Sequence, residues 1–534
     1  VRVGVLQIAT RMGDLSGNAT RILEGYTAAV ADGAQLCVTP ELAVSGYPPE
    51  DLLLRTGFID QCATAAASIA DHVGPVPLII GTPLLDGGRL SNAALVLRNG
   101  EIVDRYFKRV LPNYGVFDER RYFAVGQGSL QLVETDGVKV AIAICEDVWD
   151  DHGPLADYQR LRPDLVVVLN ASPFDHTKDA RRRALLSRRA AQIGVPIVYV
   201  NAVGAQDELI FDGASLVADV DGNVTRVGAR FKPSTVVVDT DNVTVGDVTN
   251  LTTNDESWEP AVWQAIVLAI TDYVNNNGFS RVVIGLSGGV DSALVAVLAV
   301  QALGSDNVEC VAMPSRYSSG HSLVDARQLA TVLGCTLREI PIEPMHVSFE
   351  ESVGPFSVAL TDENLQSRIR GTTLMAVSSE RNALVLTTGN KSEIAVGYST
   401  LYGDTAGAFA PIKDLYKTDV YRLASWYNAQ THGAAIPQHI LDKPPSAELR
   451  PDQTDQDSLP DYDTLDRILA LYIEDDQTVG EIVAGGVDRT LAQRIASLVD
   501  RAEFKRRQSP LGPKLTTKAF GRDRRVPITS KFPG

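Results

Sequence analysis

The chain has little cysteine. Five are spread over 534 residues, at positions 37, 62, 145, 310 and 335. An odd, widely spaced set excludes a disulfide scaffold and fits a reduced, cytoplasmic protein. No apolar run reaches about 18 residues free of charge, so no transmembrane helix is expected. Positive charge is in deficit: 49 Lys and Arg stand against 66 Asp and Glu, a net −17. That balance excludes a bulk grip on nucleic acid or an anionic membrane, while leaving room for local anion pockets. The opening VRVGVLQIAT lacks the basic region and apolar core of a signal peptide and reads as a first strand. No internal repeat is visible. What is present is ordinary soluble-globular usage, 45% apolar and 22% charged. At roughly 100–200 residues per domain, the length predicts two or more domains.

The pattern divides the chain in two. Over 1–245, apolar β-branched runs (VRVGVLQIA, QLCVTP, PLIIGTPLL, VKVAIAICED, DLVVVLNASP, PIVYVNAVG) alternate with helical periods such as NATRILEGYTAAVADGA and RRRALLSRRAAQIG. LVLRNGEIVDRY and LVADVDGNVTRV carry Asn-Gly and Asp-Gly between strand-like runs. These predict hairpins, and so a sheet that is not purely parallel. The polar stretch 246–257 reads as a linker. Over 258–534, a helix ending at Gly278 leads into a β-α-β-α rhythm through RVVIGL, NVECVAMP, TLREIPI and NALVLTTGN. That rhythm predicts a doubly wound parallel sheet. The acidic segment KPPSAELRPDQTDQDSLPDYD reads as a long loop.

The most specific motif is GLSGGVDS, comprising Gly285, Leu286, Ser287, Gly288, Gly289, Val290, Asp291 and Ser292, between a strand and a helix. Two glycines allow a tight turn and close approach of a ligand. The two serines and the helix N–H groups suit a pyrophosphate. A Walker A loop needs a Lys here and has none. Asp291 beside phosphates would repel them without a cation, which points to Mg²⁺.

This loop resembles that of the N-type, or PP-loop, ATP pyrophosphatases, which convert ATP to AMP and pyrophosphate while activating a carboxylate or carbonyl. Within that superfamily the second half resembles NAD synthetase. The resemblance implies that Thr388 of TTGNKSE contacts ATP, and that Glu393 is the second Mg²⁺ carboxylate or lies against deamido-NAD. It implies that Asn364 binds deamido-NAD, with Arg368 and Arg370 toward phosphates. Tyr398, Ser399, Thr400 and Leu401 form a substrate wall, Lys417 reaches the terminal phosphates, and Ser446 lies on a loop closing over ATP. Lys505 is a basic contact to the dinucleotide, or part of a basic surface run at 505–507.

Cys145 ends the apolar strand of VAIAICEDVW, and Glu41, Lys108 and Glu119 also follow strand-like segments. Their contexts resemble the nitrilase/amidase superfamily. The resemblance assigns Cys145 as nucleophile, Glu41 as the group that takes its proton and returns one to leaving ammonia, and Lys108 as stabiliser of thiolate and oxyanion. Glu119 orients Lys108 or assists the water step. The resemblance extends to a glutamine pocket of Tyr114, Glu146, Ser172 and Lys178. Some relatives carry Arg at the last position, and Lys keeps the charge without the fork. Trp149 lines the pocket or belongs to the core.

Together the halves resemble the glutamine-dependent NAD⁺ synthetase family. The fold implied is a nitrilase-like α-β-β-α sandwich over 1–245 and a PP-loop doubly wound sheet over 258–534. The activity implied is an ATP-dependent carbon–nitrogen ligase that uses glutamine, ATP, deamido-NAD⁺ and Mg²⁺, with ammonia passing through a tunnel. The assembly implied is a homo-oligomer, a dimer through the synthetase domain or an octamer. A GMP- or asparagine-synthetase-like amidotransferase would carry a different glutaminase module. A nitrilase-type amidase with a merely regulatory nucleotide site would not need intact Asp291, Thr388, Glu393 and Lys417. A non-catalytic interaction protein would need catalytic residues in neither half.

Overall fold

Residues 1–241, 244–245, 257–354, 356–431, 435–451 and 453–531 are described by the computed structural model. It forms two compact units, Val1–Glu256 and Ser257–Gly534. Of the stretch read as a linker, 246–256 lies outside the described residues.

In the first unit two sheets pack face to face. One orders its strands Thr244–Val245, Ser234–Asp239, Arg2–Gln7, Leu36–Val38, Leu78–Asp86, Arg89–Arg98 and Glu101–Phe107. The other runs Val224–Arg226, Leu216–Ala218, Ile197–Asn201, Leu165–Asn170, Val138–Ile144 and Val133–Thr135. The two-residue alternation of a strand decides what each face meets. Val3 and Val5 enter the core shared with Ile142, Val168 and Val198, while Leu6 joins Ile22 and Tyr26 of the helix Leu15–Ala31. The helix Lys178–Ile193 covers the second sheet with Leu185, Leu186 and Ala190. The layers are therefore α-β-β-α, as the family resemblance implied.

Both sheets centre on parallel strands with antiparallel edges. Asn99 and Gly100 join the first predicted hairpin, both with positive φ (52° and 84°), the conformation a two-residue turn requires. The second hairpin pairs Leu216–Ala218 with Val224–Arg226. Its longer loop is held by the Asp219 carboxylate, which accepts from the N–H groups of Asp221 and Asn223. The first hairpin has a consequence for chemistry. It returns the chain so that Glu101–Phe107 runs in the same sense as Leu78–Asp86, and the residue after it, Lys108, emerges where the parallel strands end. Glu41 follows Leu36–Val38, Cys145 follows Val138–Ile144 and Ser172 follows Leu165–Asn170.

The second unit holds four parallel strands in the spatial order Thr336–Glu339, Val308–Ala312, Val282–Gly285, Leu384–Leu386. The chain steps outward twice from the Val282–Gly285 strand, then crosses back to its other side. The ends of Val282–Gly285 and Leu384–Leu386 flank that reversal, where doubly wound sheets bind ligands. The helix Trp258–Asn276 ends two residues before Gly278, which takes a positive φ of 78°. The short helix Lys391–Val396 packs Ile394 and Val396 against Tyr462, Leu465, Ile495 and Val499 of the C-terminal helices. The acidic segment is largely loop, with one turn at Asp455–Asp457. No helix among the described residues is long and apolar enough to cross a membrane.

Gly81 lets the Leu78–Asp86 strand pass against the backbone that carries Glu41. A Cβ there would lie 2.4 Å from Leu42 N and 2.9 Å from Glu41 C. Gly81→Ala is expected to lower stability to urea by about 1–3 kcal/mol through overpacking. Gly57→Ala, on a helix with open space at that Cβ, is expected to cause no loss.

Candidate active sites

In the first unit the Lys108 ammonium is buried between two carboxylates. It donates to Glu41 Oε1 at 2.7 Å and to Glu119 Oε1 at 2.9 Å. Burial alone would pull its pKa down, but Glu119 and Glu41 outweigh that and hold it well above the ordinary lysine value. Lys108 therefore stays an ammonium and serves as a fixed positive charge. Glu41 also accepts from Asn92 Nδ2 at 2.7 Å and from the Ala171 N–H at 3.2 Å. Glu119 accepts from the Tyr47 hydroxyl at 2.9 Å. Burial raises the Glu119 carboxyl to about 7, with Lys108 opposing.

Cys145 sits at the turn from strand to the short helix Glu146–Trp149, with φ 42° and ψ −95°. A non-glycine residue held there is strained, a feature that clusters at functional sites. Burial pushes the thiol well above its usual value. Glu41 adds to that push and Lys108 opposes it. The resting thiol is therefore protonated and needs a base, and Glu41 is the carboxylate within its electrostatic reach that contributes most.

The proposed glutamine-pocket residues fall into two groups. The Tyr114 hydroxyl donates to both oxygens of Glu146, at 3.0 and 3.1 Å, and Lys178 lies 4.4 Å from the centre of the Trp149 ring. Burial, with Arg182 adding to it, lowers Lys178 to about 8, while Asp175 opposes that fall. Ser172 is buried, its Oγ and carbonyl taken by Arg182 at 3.2 and 2.7 Å. Arg182 in turn pairs with Asp212 at 2.6 Å.

The second unit has a cavity of about 480 Å³ at the strand reversal. Gly285, Leu286, Ser287, Gly289, Val290, Asp291 and Ser292 line it, as do Thr388, Lys417, Ser446, Asn364, Glu393, Tyr398, Ser399, Thr400 and Lys505. Three expected residues do not. Gly288 turns to the backbone of Ser322, where a Cβ would lie 2.4 Å from the carbonyl oxygen. Arg368 is exposed and donates to the Leu401 carbonyl at 3.2 Å; neither it nor Leu401 lines the cavity. Arg370 does, and burial lowers its pKa to about 10.

Lys417 Nζ spans Asp291 Oδ2 at 2.5 Å and Glu393 Oε1 at 3.1 Å. Burial raises Glu393 to about 7; Lys417 opposes this, while Asp291 and Asp455 add to it. Three carboxylates thus crowd one ammonium. That charge excess and the hard oxygen donors fit a divalent cation such as Mg²⁺. No side chain caps the helix Val290–Leu303, and Gly289, Val290, Asp291 and Ser292 at its start line the cavity. Ser287 and Ser292 bond to each other and to the turn around Gly289. Ser446 donates to the Gln453 carbonyl within its own loop. Lys505 donates to the carbonyls of Gly397 and Ser399 at 2.8 and 2.7 Å, so it braces the wall as well as lining it.

Sequence reasoning missed several residues. Asn92 and Tyr47 hold the two carboxylates around Lys108. Asn390 donates to Asp291 Oδ1 at 2.9 Å and accepts from the Glu393 N–H at 3.0 Å, joining both acids. Asn390 stands inside TTGNKSE as an N-cap type before a helix, a signal that was open to reading. Asp455 lay in a segment whose composition marked only a loop.

Residues 2–250 match the carbon-nitrogen hydrolase family and residues 262–509 the NAD synthase family. The glutamine-dependent NAD(+) synthetase of Xanthomonas campestris pv. campestris (strain 8004) is 47% identical over 100% of this chain and 98% of its own. That of Thermotoga maritima is 43% identical over 100% and 99%. Among solved structures, the glutamine-dependent NAD+ synthetase from Acinetobacter baumannii in complex with ADP is 38% identical. It superposes with a TM-score of 0.79 over 99% of this chain and 98% of its own.

Lys417→Met removes the ammonium between Asp291 and Glu393, so the Glu393 carboxyl rises further. Below its new value it binds a proton and the repulsion eases; above it the acids face each other charged. Urea unfolding in metal-free buffer is expected to show a loss of about 3 kcal/mol at pH 8 and a smaller loss at pH 6. Equal losses at both pH values would contradict the coupling.

Proposed function

The chain belongs to the glutamine-dependent NAD⁺ synthetases, and on that premise we propose which of its groups do which part of the work. The enzyme draws ammonia from glutamine and uses it, with ATP, to amidate deamido-NAD⁺. The glutaminase is residues 1–245 and the synthetase 258–534.

In the glutaminase, Glu41 takes the Cys145 proton as sulfur attacks the side-chain amide carbon of glutamine. The amide oxygen, gaining negative charge, faces the fixed Lys108 ammonium. Glu41 returns the proton to the departing nitrogen, and ammonia leaves. Water then cleaves the thioester, with Glu41 or Glu119 accepting its proton. Glu146, steadied by Tyr114, receives the glutamine ammonium; Lys178 receives its carboxylate. Ser172 and Trp149 complete the pocket.

In the synthetase, the nicotinate carboxylate of deamido-NAD⁺ attacks the α-phosphorus of ATP, giving an acyl adenylate and pyrophosphate. Ammonia then displaces AMP. The Val290–Leu303 helix N-terminus with Ser287 and Ser292 holds the pyrophosphate group. Lys417 adds positive charge there, and Thr388 and Ser446 contact ATP. Asn364, Arg370, Tyr398, Ser399, Thr400 and Lys505 line the dinucleotide side. Asp291 and Glu393 would hold Mg²⁺, which supplies charge neutralisation for the phosphate oxygens. The same reading makes the enzyme a cytoplasmic homo-oligomer whose dimer forms through the synthetase half.

The observation that carries this reading is the Asp291–Lys417–Glu393 cluster at the mouth of the SGGVDS turn. Glutamine, ATP, Mg²⁺ and deamido-NAD⁺ are supplied together and each omitted in turn. AMP should form only when deamido-NAD⁺ is present; release of ADP and orthophosphate would overturn the adenylate. Cys145→Ala should abolish the use of glutamine and keep the use of added ammonium. Lys178, at about 8, loses its proton as pH rises. kcat/KM for glutamine should therefore fall above pH 8, and Lys178→Arg should move that fall upward. An unchanged profile in the Arg variant would remove Lys178 from the pocket.

A further inference from the structure

Lys108 and Cys145 stand at the ends of strands in different sheets, Glu101–Phe107 and Val138–Ile144. Ladder hydrogen bonds fix each strand within its own sheet and leave the spacing between sheets to side chains. The Asp147 side chain bridges these two strand ends. Asp147 is fully buried, two residues beyond Cys145. Its Oδ1 accepts from the N–H groups of Arg109 at 3.0 Å and Val110 at 2.9 Å. Its Oδ2 accepts from the Ile144 N–H at 2.9 Å and the Tyr106 hydroxyl at 2.8 Å.

We propose that Asp147 is a positioning residue that locks the thiol-bearing turn at Cys145 to the lysine-bearing loop at Lys108. The four donors bracket the reacting groups. Ile144 immediately precedes Cys145, Arg109 immediately follows Lys108, and Tyr106 lies two residues before it. A carboxylate is the only side chain of this size with two acceptor oxygens and no donor. Asparagine would keep one acceptor and turn an NH₂ toward N–H groups that need a partner. The Cys145 turn has a strained φ, so it stays in place only if its surroundings over-determine it, and the Ile144 N–H bond is one such restraint. Burial raises the Asp147 carboxyl, while the Ile144, Tyr106 and Val110 donors and the Lys108 charge oppose that rise. The inference rests on the reading that Cys145 and Lys108 act on glutamine.

The test compares Asp147→Asn, Tyr106→Phe and Cys145→Ala in the full chain, each assayed with glutamine and separately with ammonium. A misplacement of about 1 Å costs on the order of 100-fold in rate. Asp147→Asn should therefore lose about 100-fold in glutamine-dependent kcat, with little change in KM for glutamine and an unchanged ammonium-dependent rate. Tyr106→Phe removes one of the four donors and adds no bulk. It should lower the same kcat by a smaller factor, and it decides the matter if Asp147→Asn does not fold. Retained kcat in Tyr106→Phe and Asp147→Asn, or a parallel fall in glutamine- and ammonium-dependent rates, overturns the proposal. Should Cys145→Ala still use glutamine, the catalytic reading itself fails, whatever the Asp147 variant does.

Discussion

The ammonium of Lys108 lies between Glu41 and Glu119 with almost no access to water. A lone charge there would face a desolvation penalty of several kcal/mol. The site exists because three charges were buried together and because Asn92, Ala171 and Tyr47 take up further oxygen valences of the two acids. Lys417 repeats the arrangement in the second unit, between Asp291 and Glu393 with Asn390 as the neutral brace. Neither lysine can act as a proton donor or acceptor near neutral pH, because the acids hold both well above the ordinary value. Each supplies a positive charge of fixed position. Fixed charge aimed at a developing anion is the contribution a preorganised site makes most cheaply.

The strain of these clusters is stored in the acids. Glu119 and Glu393 are both raised to about 7 from an ordinary 4.5. Between those values the folded chain keeps a proton that the unfolded chain has released. Folding is therefore favoured at the low end of that window and weakened as pH climbs through it. The surrounding core must make up the difference. It does so through dense packing: the Lys391–Val396 helix carrying Glu393 is clamped by Tyr462, Leu465 and Ile495, and residues 140–144, just before Cys145, are buried.

The layout of the molecule was legible where local chemistry is decisive. Asn99-Gly100 marked a hairpin because few other pairs accept positive φ twice. GLSGGVDS marked a ligand turn because strand, paired glycines and helix start coincide. Single residues were legible only where their spacing was checked against geometry. Arg368 and Arg370 were taken together for phosphate, yet residues two apart on a helix point to nearly opposite sides. The structure accordingly sends one to solvent and the other into the cavity. Asp147, Asn92 and Tyr47 could not be found by pattern. Apart from Ile144, their partners lie 37 to 72 residues away, and no period connects them. The family resemblance carried the proposed catalytic set; the residues that brace those side chains had to be seen.

Charge balance in the second unit is consistent with the proposed divalent cation. Asp291, Glu393 and Asp455 bring three acids to one ammonium, and even a half-protonated Glu393 leaves the cluster negative. A polyphosphate entering the same cavity would add several more negative charges. Lys417 is already shared between two carboxylates at hydrogen-bond distance, so its charge cannot also neutralise the phosphates in full. The helix N-terminus contributes only about half a unit charge. The carboxylates would offer oxygens to the proposed divalent cation, and Asn390 ties the Asp291 carboxylate to the backbone of Glu393.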